Sequence, residues 1–159
     1  MVVQGREKAM SAQPVVVAPE DRLQALSLEG EQVTVLVDGA TTGNYEIFHQ
    51  AGPEGSGPPP HNHPWHEAFY VTAGQVTFGA GDADDQIATA GTFVFIPAGS
   101  THWFRFGPGG GEMLSMTPRP GAAEFYADVH RQVGPTSPDF ATLERVATAH
   151  EITVLPPSI

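Results

Sequence analysis

The sequence has no cysteine and a single lysine, Lys8, near its N-terminus. The absence of cysteine excludes thiol nucleophiles, thiolate metal ligands and disulfides, and it fits a cytoplasmic protein, which is the location we expect. Because the one lysine lies at the start of the chain, Schiff-base formation and a lysine general base are strongly disfavoured. The sequence also shows neither a nucleophile-elbow pattern nor a glycine-rich phosphate loop. Any chemistry is therefore expected to depend on a metal.

Positive charge and long apolar segments are also scarce. Seven Lys and Arg residues stand against 18 Asp and Glu residues, which gives a formal net charge of −11. Nucleic acids and anionic membrane surfaces bind to basic faces, so we expect neither as a partner. The chain contains no run of about eighteen apolar residues that could span a bilayer, and residues 1–13 lack the apolar core of a signal peptide.

Glycine and proline, by contrast, are frequent, with 18 and 15 residues in a chain that is 16% charged. Together with short segments of alternating polarity, they predict many strands and turns, and hence an all-β barrel or two-sheet sandwich. The length of 159 residues suits one domain with a substantial core. Strands are predicted over residues 31–37, 44–50, 67–72, 75–79, 92–96, 102–106 and 112–116.

Loops and helices complete this prediction. The glycine-rich residues 107–111 are predicted to form a loop between two strands. One helix is predicted over residues 122–133. A second is predicted to begin at Ser137, because serine caps a helix and the proline after it suits the first helical position. An apolar stripe on the second helix is expected to lie on the outside of the barrel and consists of Phe140, Leu143 and Val146.

Histidines and a glutamate recur with the spacing of a metal site. The two motifs read Gly55-x5-His61-x-His63-x3-Glu67-x6-Gly74 and Gly91-x5-Pro97-x-Gly99-x2-His102. Side chains alternate along a strand, so His61 and His63 should share one face, and Glu67 keeps their parity. His102 begins another predicted strand. Three imidazoles and one carboxylate suit one divalent transition metal ion such as iron, manganese, nickel, cobalt or zinc.

Glu67 has two roles open to it in such a site. It is either a permanent fourth ligand or a general base toward a substrate hydroxyl group. Three imidazoles and one carboxylate fill at most four positions of an octahedral ion, which leaves two for water, dioxygen or substrate. A closed tetrahedral zinc site would instead be structural.

Both motifs closely resemble those of the cupin family. Motif one agrees at all its fixed positions. Motif two agrees at its glycines, proline and histidine, whereas Phe106 stands in place of the usual final asparagine. The resemblance implies a cupin fold, which is a jelly-roll barrel of the double-stranded β-helix type, here with two short C-terminal helices. It also implies that the three histidines and Glu67 bind the metal, and Phe106 implies a more apolar cavity wall.

The resemblance is strong over residues 36–117 and divides the chain into three parts. We expect a flexible leader over residues 1–20, the cupin barrel over residues 21–118, and a C-terminal helical segment over residues 119–159 packed on the barrel. Many cupins dimerise by exchanging N-terminal strands, so the resemblance also implies a homodimer.

A narrower likeness concerns residues 55–63 and 67–71, which resemble the flavonol-cleaving cupins called quercetinases and their single-domain relatives. It implies a dioxygenase-like oxidoreductase acting on a hydroxylated aromatic small molecule, either flavonol-like or polyketide-like. In that group the metal ligates the substrate oxygen, a glutamate removes the proton of the substrate hydroxyl group, and dioxygen attacks the activated ring. The resemblance implies that Glu67 is this glutamate. Two alternatives stay open. The first is a redox-neutral polyketide cyclase or isomerase with the metal as Lewis acid, and the second is a non-enzymatic small-molecule-binding cupin.

Four residues are candidates for the wall of a substrate pocket. Phe69, Phe104 and Phe106 share the parity of the metal ligands on their own strands and would form an aromatic wall. Packing inside the barrel is the alternative role of each phenylalanine. His49 lies on a strand with apolar residues on both faces, so it faces either the cavity or the solvent.

The other histidines and the tryptophans are assigned no role in the site. His66 has the opposite parity to the ligands and is predicted to be a surface residue or one that contacts a ligand. Trp65 and Trp103 are predicted to pack elsewhere, and His130 and His150 are predicted to lie on the surface of the C-terminal helices.

Overall fold

The computed structural model describes residues 13–134 and 139–156. Its strands are β1 (Leu26–Leu28), β2 (Glu31–Val37), β3 (Glu46–Gly52), β4 (His61–Asn62), β5 (Glu67–Ala80), β6 (Gln86–Thr89), β7 (Phe93–Ile96), β8 (His102–Thr117) and β9 (Thr153–Val154). Its helices are α1 (Gly39–Thr42), α2 (Ala122–Gln132) and α3 (Phe140–Ala149). Within these ranges, none of the helices has the length and apolar character needed to cross a membrane.

All nine strands belong to one antiparallel sheet built around β5 and β8. The order along its main path is β1-β2-β3-β8-β4-β9, and β5 pairs with β6, β7 and β8. The two long strands pair from Ala68 opposite Met116 to Ala80 opposite His102. The C-terminal half of β8 also pairs with β3, so β8 is bonded on both sides and the sheet curls. This architecture confirms the predicted all-β barrel.

Two long strands replace four predicted short ones, and the predicted loop over residues 107–111 is wrong. These residues lie inside β8, where Gly111 pairs with Gly52 of β3 on one side and with Gly74 of β5 on the other. A Cβ added to Gly74 would lie 2.3 Å from the carbonyl oxygen of Gly110. Gly74 and Gly110 are therefore needed because the backbones of neighbouring strands approach closely, not because the chain forms a loop between two strands.

Both predicted C-terminal helices are present. The cap of α3 is Asp139, whose Oδ1 accepts a hydrogen bond from the Ala141 amide. The predicted cap, Ser137, lies outside the described residues, as do residues 1–12 of the predicted leader. Glu46 of β3 ties α1 and α2 to the barrel, because its two carboxylate oxygens accept hydrogen bonds from the amides of Gly39 and Ala123, each at 3.0 Å.

Two apolar clusters stabilise the molecule. The first fills the barrel and consists of Phe69, Val71, Val76, Phe78, Ala88, Ile96, Phe104, Phe106 and Met113. The second joins α2 and α3 to the barrel and consists of Trp65, Val129, Leu143, Val146, Ala147, Ile152 and Val154. The stripe of α3 is not part of the cluster that fills the barrel, and one of its residues, Leu143, also lines the cavity beside His61, His63 and Glu67.

Candidate metal centre

The structure brings all four predicted metal ligands together. His61 of β4 and His102 of β8 are cross-strand partners, His63 follows the two-residue strand β4, and Glu67 begins β5. One nitrogen from each histidine and one carboxylate oxygen lie within 4.8 Å of one another. The short segment that contains β4 and the start of β5 therefore meets the distant strand β8 at a single group of potential ligand atoms.

Each imidazole of this group is oriented by a backbone carbonyl group two residues away. The Nδ1 atoms of His61, His63 and His102 lie 2.9 Å from the carbonyl oxygens of Pro59, Trp65 and Ser100, respectively. A carbonyl oxygen can only accept a hydrogen bond, so Nδ1 carries the proton in each ring. Each Nε2 atom is then left with a lone pair, which is the form that binds a metal.

The contacts of Glu67 indicate that a cation belongs among these atoms. Its Oε2 atom lies 3.1 Å from Nε2 of His63 and 3.3 Å from Nε2 of His102. With the protons on Nδ1, these atoms present lone pairs to one another, which is unfavourable without additional protons or a metal ion. An ion with bonds of about 2.0–2.1 Å holds adjacent ligand atoms roughly 3.0–3.4 Å apart. The donor types and distances therefore fit a divalent transition metal.

The ionisation of the site points the same way. Burial raises the pKa of Glu67, but the neighbouring His102 and His63 outweigh burial and lower that pKa to about 2. Burial, with a contribution from His102, lowers the pKa of His61 to about 4. Glu67 is therefore a carboxylate and His61 a neutral imidazole at neutral pH, which are the forms that metal binding requires.

The ligand cluster faces a cavity with mainly apolar walls. The cavity offers about 90 Å³ to the centres of water-sized molecules, whereas one ordered water needs only about 10–15 Å³. Phe69 and Phe104 line it from the barrel, and Phe125 and Leu143 line it from the helices. This space next to the ligands is suited to a small organic molecule.

Two of the four residues proposed for a substrate pocket lie at this cavity. Phe69 and Phe104 line it, as the parity argument required. The lining does not include Phe106, which packs in the barrel core with its ring centroid 5.7 Å from that of Phe104. It does not include His49 either, whose Nε2 atom lies 3.0 Å from Oε2 of Glu112. The packing alternative therefore describes Phe106 better.

The sequence had suggested that Trp65 packs away from the site, but the structure places it at the site. Its indole stacks on the ring of His63, with centroids 4.3 Å apart and planes 6° apart, and it lines the cavity. The guanidinium of Arg119 lies 4.1 Å from the indole centroid. Trp65 shares the parity of His63 and Glu67, which is the sequence signal for this position. His66 is exposed, and its Nδ1 accepts a hydrogen bond from the Ala98 amide.

Five polar residues of the cavity wall were not identified from the sequence, namely Glu29, Glu31, Gln50, Thr117 and Tyr126. Glu31 and Gln50 are only 4% and 2% exposed. A signal for both exists, because Glu31 shares the parity of the apolar Val33 on β2, and Gln50 shares that of Phe48 on β3. A polar residue on the apolar face of a strand marks a buried polar group.

The first testable prediction concerns Glu31 and stability. Burial, with the charges of Glu67 and Glu29, raises its pKa from 4.5 to about 8, although Arg105 opposes the shift. The folded state therefore binds the proton of Glu31 more tightly than the unfolded state does. The free energy of unfolding that this difference contributes is fully present below pH 4.5 and is lost as the pH rises to about 8. Urea unfolding at equal metal content should show stability falling by up to about 1.4 kcal/mol per pH unit in this window. Glu31→Gln should flatten this slope; an unchanged slope would contradict the assignment.

Comparison with known proteins agrees with this architecture. Residues 48–117 match the family described as Cupin domain, and a search of curated proteins gives no match. The polyketide cyclase RemF from Streptomyces resistomycificus is similar, with TM-score 0.59 and 22% identity over 69% of this chain and 83% of that chain. An RmlC-like cupin from Shewanella frigidimarina NCIMB 400 is also similar, with TM-score 0.60 and 18% identity, and the match covers 71% of this chain and 96% of that chain. A recombinant oxalate oxidase in complex with glycolate has TM-score 0.50 and 25% identity, and the match covers 58% of this chain and 54% of that chain. The chain has the cupin fold that its motifs predicted.

Proposed function

We propose that this cupin is a mononuclear metal-dependent enzyme that acts on a small hydroxylated aromatic molecule. The observation that carries the proposal is that His61, His63, Glu67 and His102 converge, and that the first three of them line a mainly apolar cavity together with aromatic side chains. A closed structural site would have no need of such a cavity. A metal bound by these residues supplies a Lewis acid that can polarise or ionise an oxygen of a bound molecule.

The wall residues have the properties that binding a flat molecule requires. Phe69, Phe104 and Trp65 are almost fully buried, and they place aromatic surface on the cavity wall. Aromatic rings pack favourably against other rings in offset or edge-to-face arrangements. A flat molecule packed against this surface would displace water from beside the reacting atoms, which would strengthen electrostatic interactions at the site.

Glu67 is the candidate general base. It lines the cavity as well as the ligand cluster, so its carboxylate can take part in both. Its low pKa depends on contacts with His63 and His102, while burial acts in the opposite direction. If the carboxylate moves away from the two rings toward a substrate hydroxyl group, burial raises its proton affinity. Glu67 could then take the hydroxyl proton.

Within this proposal, the finer assignment is a dioxygenase-like oxidation of a flavonol-like or polyketide-like compound. The three imidazoles and Glu67 would hold the metal as at most four protein ligands, and the metal would then supply the chemistry that activates the substrate and dioxygen. The resemblance of residues 55–63 and 67–71 to quercetinases supports this assignment.

The second prediction is that the metal-loaded protein consumes dioxygen as it consumes quercetin. Oxygen uptake with an electrode and quercetin loss by absorbance should proceed in a fixed ratio, because oxygen addition to the ring couples the two. The protein should first be purified without added metal and its metal identified by elemental analysis. Metal-free protein is the control and should show neither change.

Two other results would contradict the dioxygenase assignment and select an alternative. Conversion of the aromatic compound without oxygen uptake would assign a redox-neutral cyclase or isomerase, in which the metal acts only as Lewis acid. Saturable binding with no conversion of any compound tested would assign a small-molecule-binding cupin.

A further inference from the structure

Glu31 and Gln50 face the cavity from neighbouring strands of the barrel wall. Gln50 of β3 pairs with Val33 of β2, and Glu31 precedes Val33 by two residues. Side chains two residues apart in a strand point to the same face, so Glu31 and Gln50 project from the same face of the sheet. Both residues line the cavity together with Glu67.

The hydrogen-bonding capacity of this pair is incompletely used. Among the residues that the structure describes, Oε1 of Glu31 and Oε1 of Gln50 have no hydrogen-bond partner. Both side chains are more than nine-tenths buried, at 4% and 2% exposure. A buried polar atom without a partner destabilises the folded state. The cavity beside the pair is where a partner can be placed.

We propose that Glu31 and Gln50 form a second polar subsite that binds a hydroxyl group of the substrate. A hydroxyl group can both donate and accept a hydrogen bond. It can therefore donate one to Oε1 of Gln50 and accept one from a protonated Glu31. The inference rests on the proposed function and narrows its substrate class. The substrate is a mainly apolar aromatic molecule with two separate oxygen functions, one for the metal and one for this subsite.

The charges around Glu31 support its role as a donor. Burial is the main cause of its raised pKa, and the negative charges of Glu67 and Glu29 add to it. Arg105 opposes the shift, although it is itself half-buried. Tyr126, also in the cavity wall, has its pKa raised by burial and remains neutral. Near neutral pH, Glu31 therefore keeps a proton that it can donate.

Anaerobic binding of matched flavonols tests the subsite. The probes are flavonol itself and two flavonols with one further hydroxyl group, either on the phenyl ring or on the fused ring. The background is metal-loaded Trp103→Phe protein, in which Trp65 is the remaining tryptophan and stacks on His63 in the cavity. Its fluorescence reports occupancy. One hydroxylated probe should bind about tenfold more tightly than flavonol, since the hydroxyl group gains two hydrogen bonds.

Leucine variants of the pair provide the decisive comparison. In Glu31→Leu and in Gln50→Leu, the ratio of affinities for the hydroxylated probe and for flavonol, both measured on the same variant, should fall to about twofold or less, while metal content stays unchanged. His49→Leu is the matched control, because His49 precedes Gln50 on β3, contacts Glu112 and does not line the cavity. It should keep the full preference. If Glu31→Leu does not fold, Gln50→Leu carries the test together with Glu31→Gln, which should reduce the preference without abolishing it.

The possible failures of the test are distinguishable. A preference that survives in the leucine variants overturns the subsite, and so does equal binding of all three probes to the parent protein, which would assign the pair to ordered water only. If no probe binds, both the subsite and the proposed function fail. If the preference is found but no oxygen is consumed, the subsite stands and the dioxygenase assignment fails.

Discussion

Glu67→Gln is expected to keep most of the bound metal and to lower turnover by about two to four orders of magnitude, which is the usual contribution of a positioned general base. The three histidines would remain oriented by their backbone carbonyl partners, and an amide oxygen can still coordinate weakly. The amide cannot take a proton from the substrate. Metal content and activity per bound metal should be measured on the same preparation.

A matched control and two contrary results define this test. Glu112→Gln makes the same chemical change at an exposed glutamate of β8 whose partner is His49, and it should leave turnover per metal unchanged. Near-normal activity per metal in Glu67→Gln would exclude the general-base role. Loss of metal with a proportional loss of activity would instead show that Glu67 is a ligand without a role in proton transfer.

His102→Ala is expected to abolish metal binding under conditions in which the parent protein stays loaded. His102 is almost fully buried and is one of only four protein ligands in the cluster. Changes to residues that merely support a ligand already cost about 10–100-fold in metal affinity, so loss of the ligand itself should cost more. Metal content after dialysis, measured by elemental analysis, gives the result.

His66→Ala is the control for this experiment. His66 is also near the cluster in sequence, but it is exposed and its Nδ1 accepts from the Ala98 amide. It should retain stoichiometric metal. If His102→Ala also retained stoichiometric metal after dialysis, the assigned ligand set would be incorrect.

The metal ligands could be identified from the sequence because their arrangement is largely local. His61, His63 and Glu67 lie within one short segment whose alternating parity directs their side chains to a common side. His102 required the second motif and its resemblance to cupins. The backbone carbonyl groups that orient the three rings each belong to a residue two positions away, so this feature is also local.

The cavity wall was less predictable because it is assembled from distant segments. Phe69 and Phe106 both satisfied the parity rule, yet only Phe69 reaches the cavity. Parity gives the face of a strand but not the height along the barrel at which a side chain meets its neighbours. The predicted loop over residues 107–111 was wrong for a similar reason, since Gly110 and Gly111 lie close to Gly52 and Gly74 on the neighbouring strands.

By itself, the sequence determined that this chain forms a β-rich barrel and carries a histidine-rich cluster that could hold a metal ion, because the strands depend on alternation and three of the four cluster residues on short-range spacing. The tertiary structure decided what surrounds that site. Helix α3 folds back so that Leu143 covers the cavity, and the pairing of β2 with β3 sets Glu31 beside Gln50. These contacts join segments far apart in the chain, and strand pairing and helix packing, rather than local pattern, determine which residues meet.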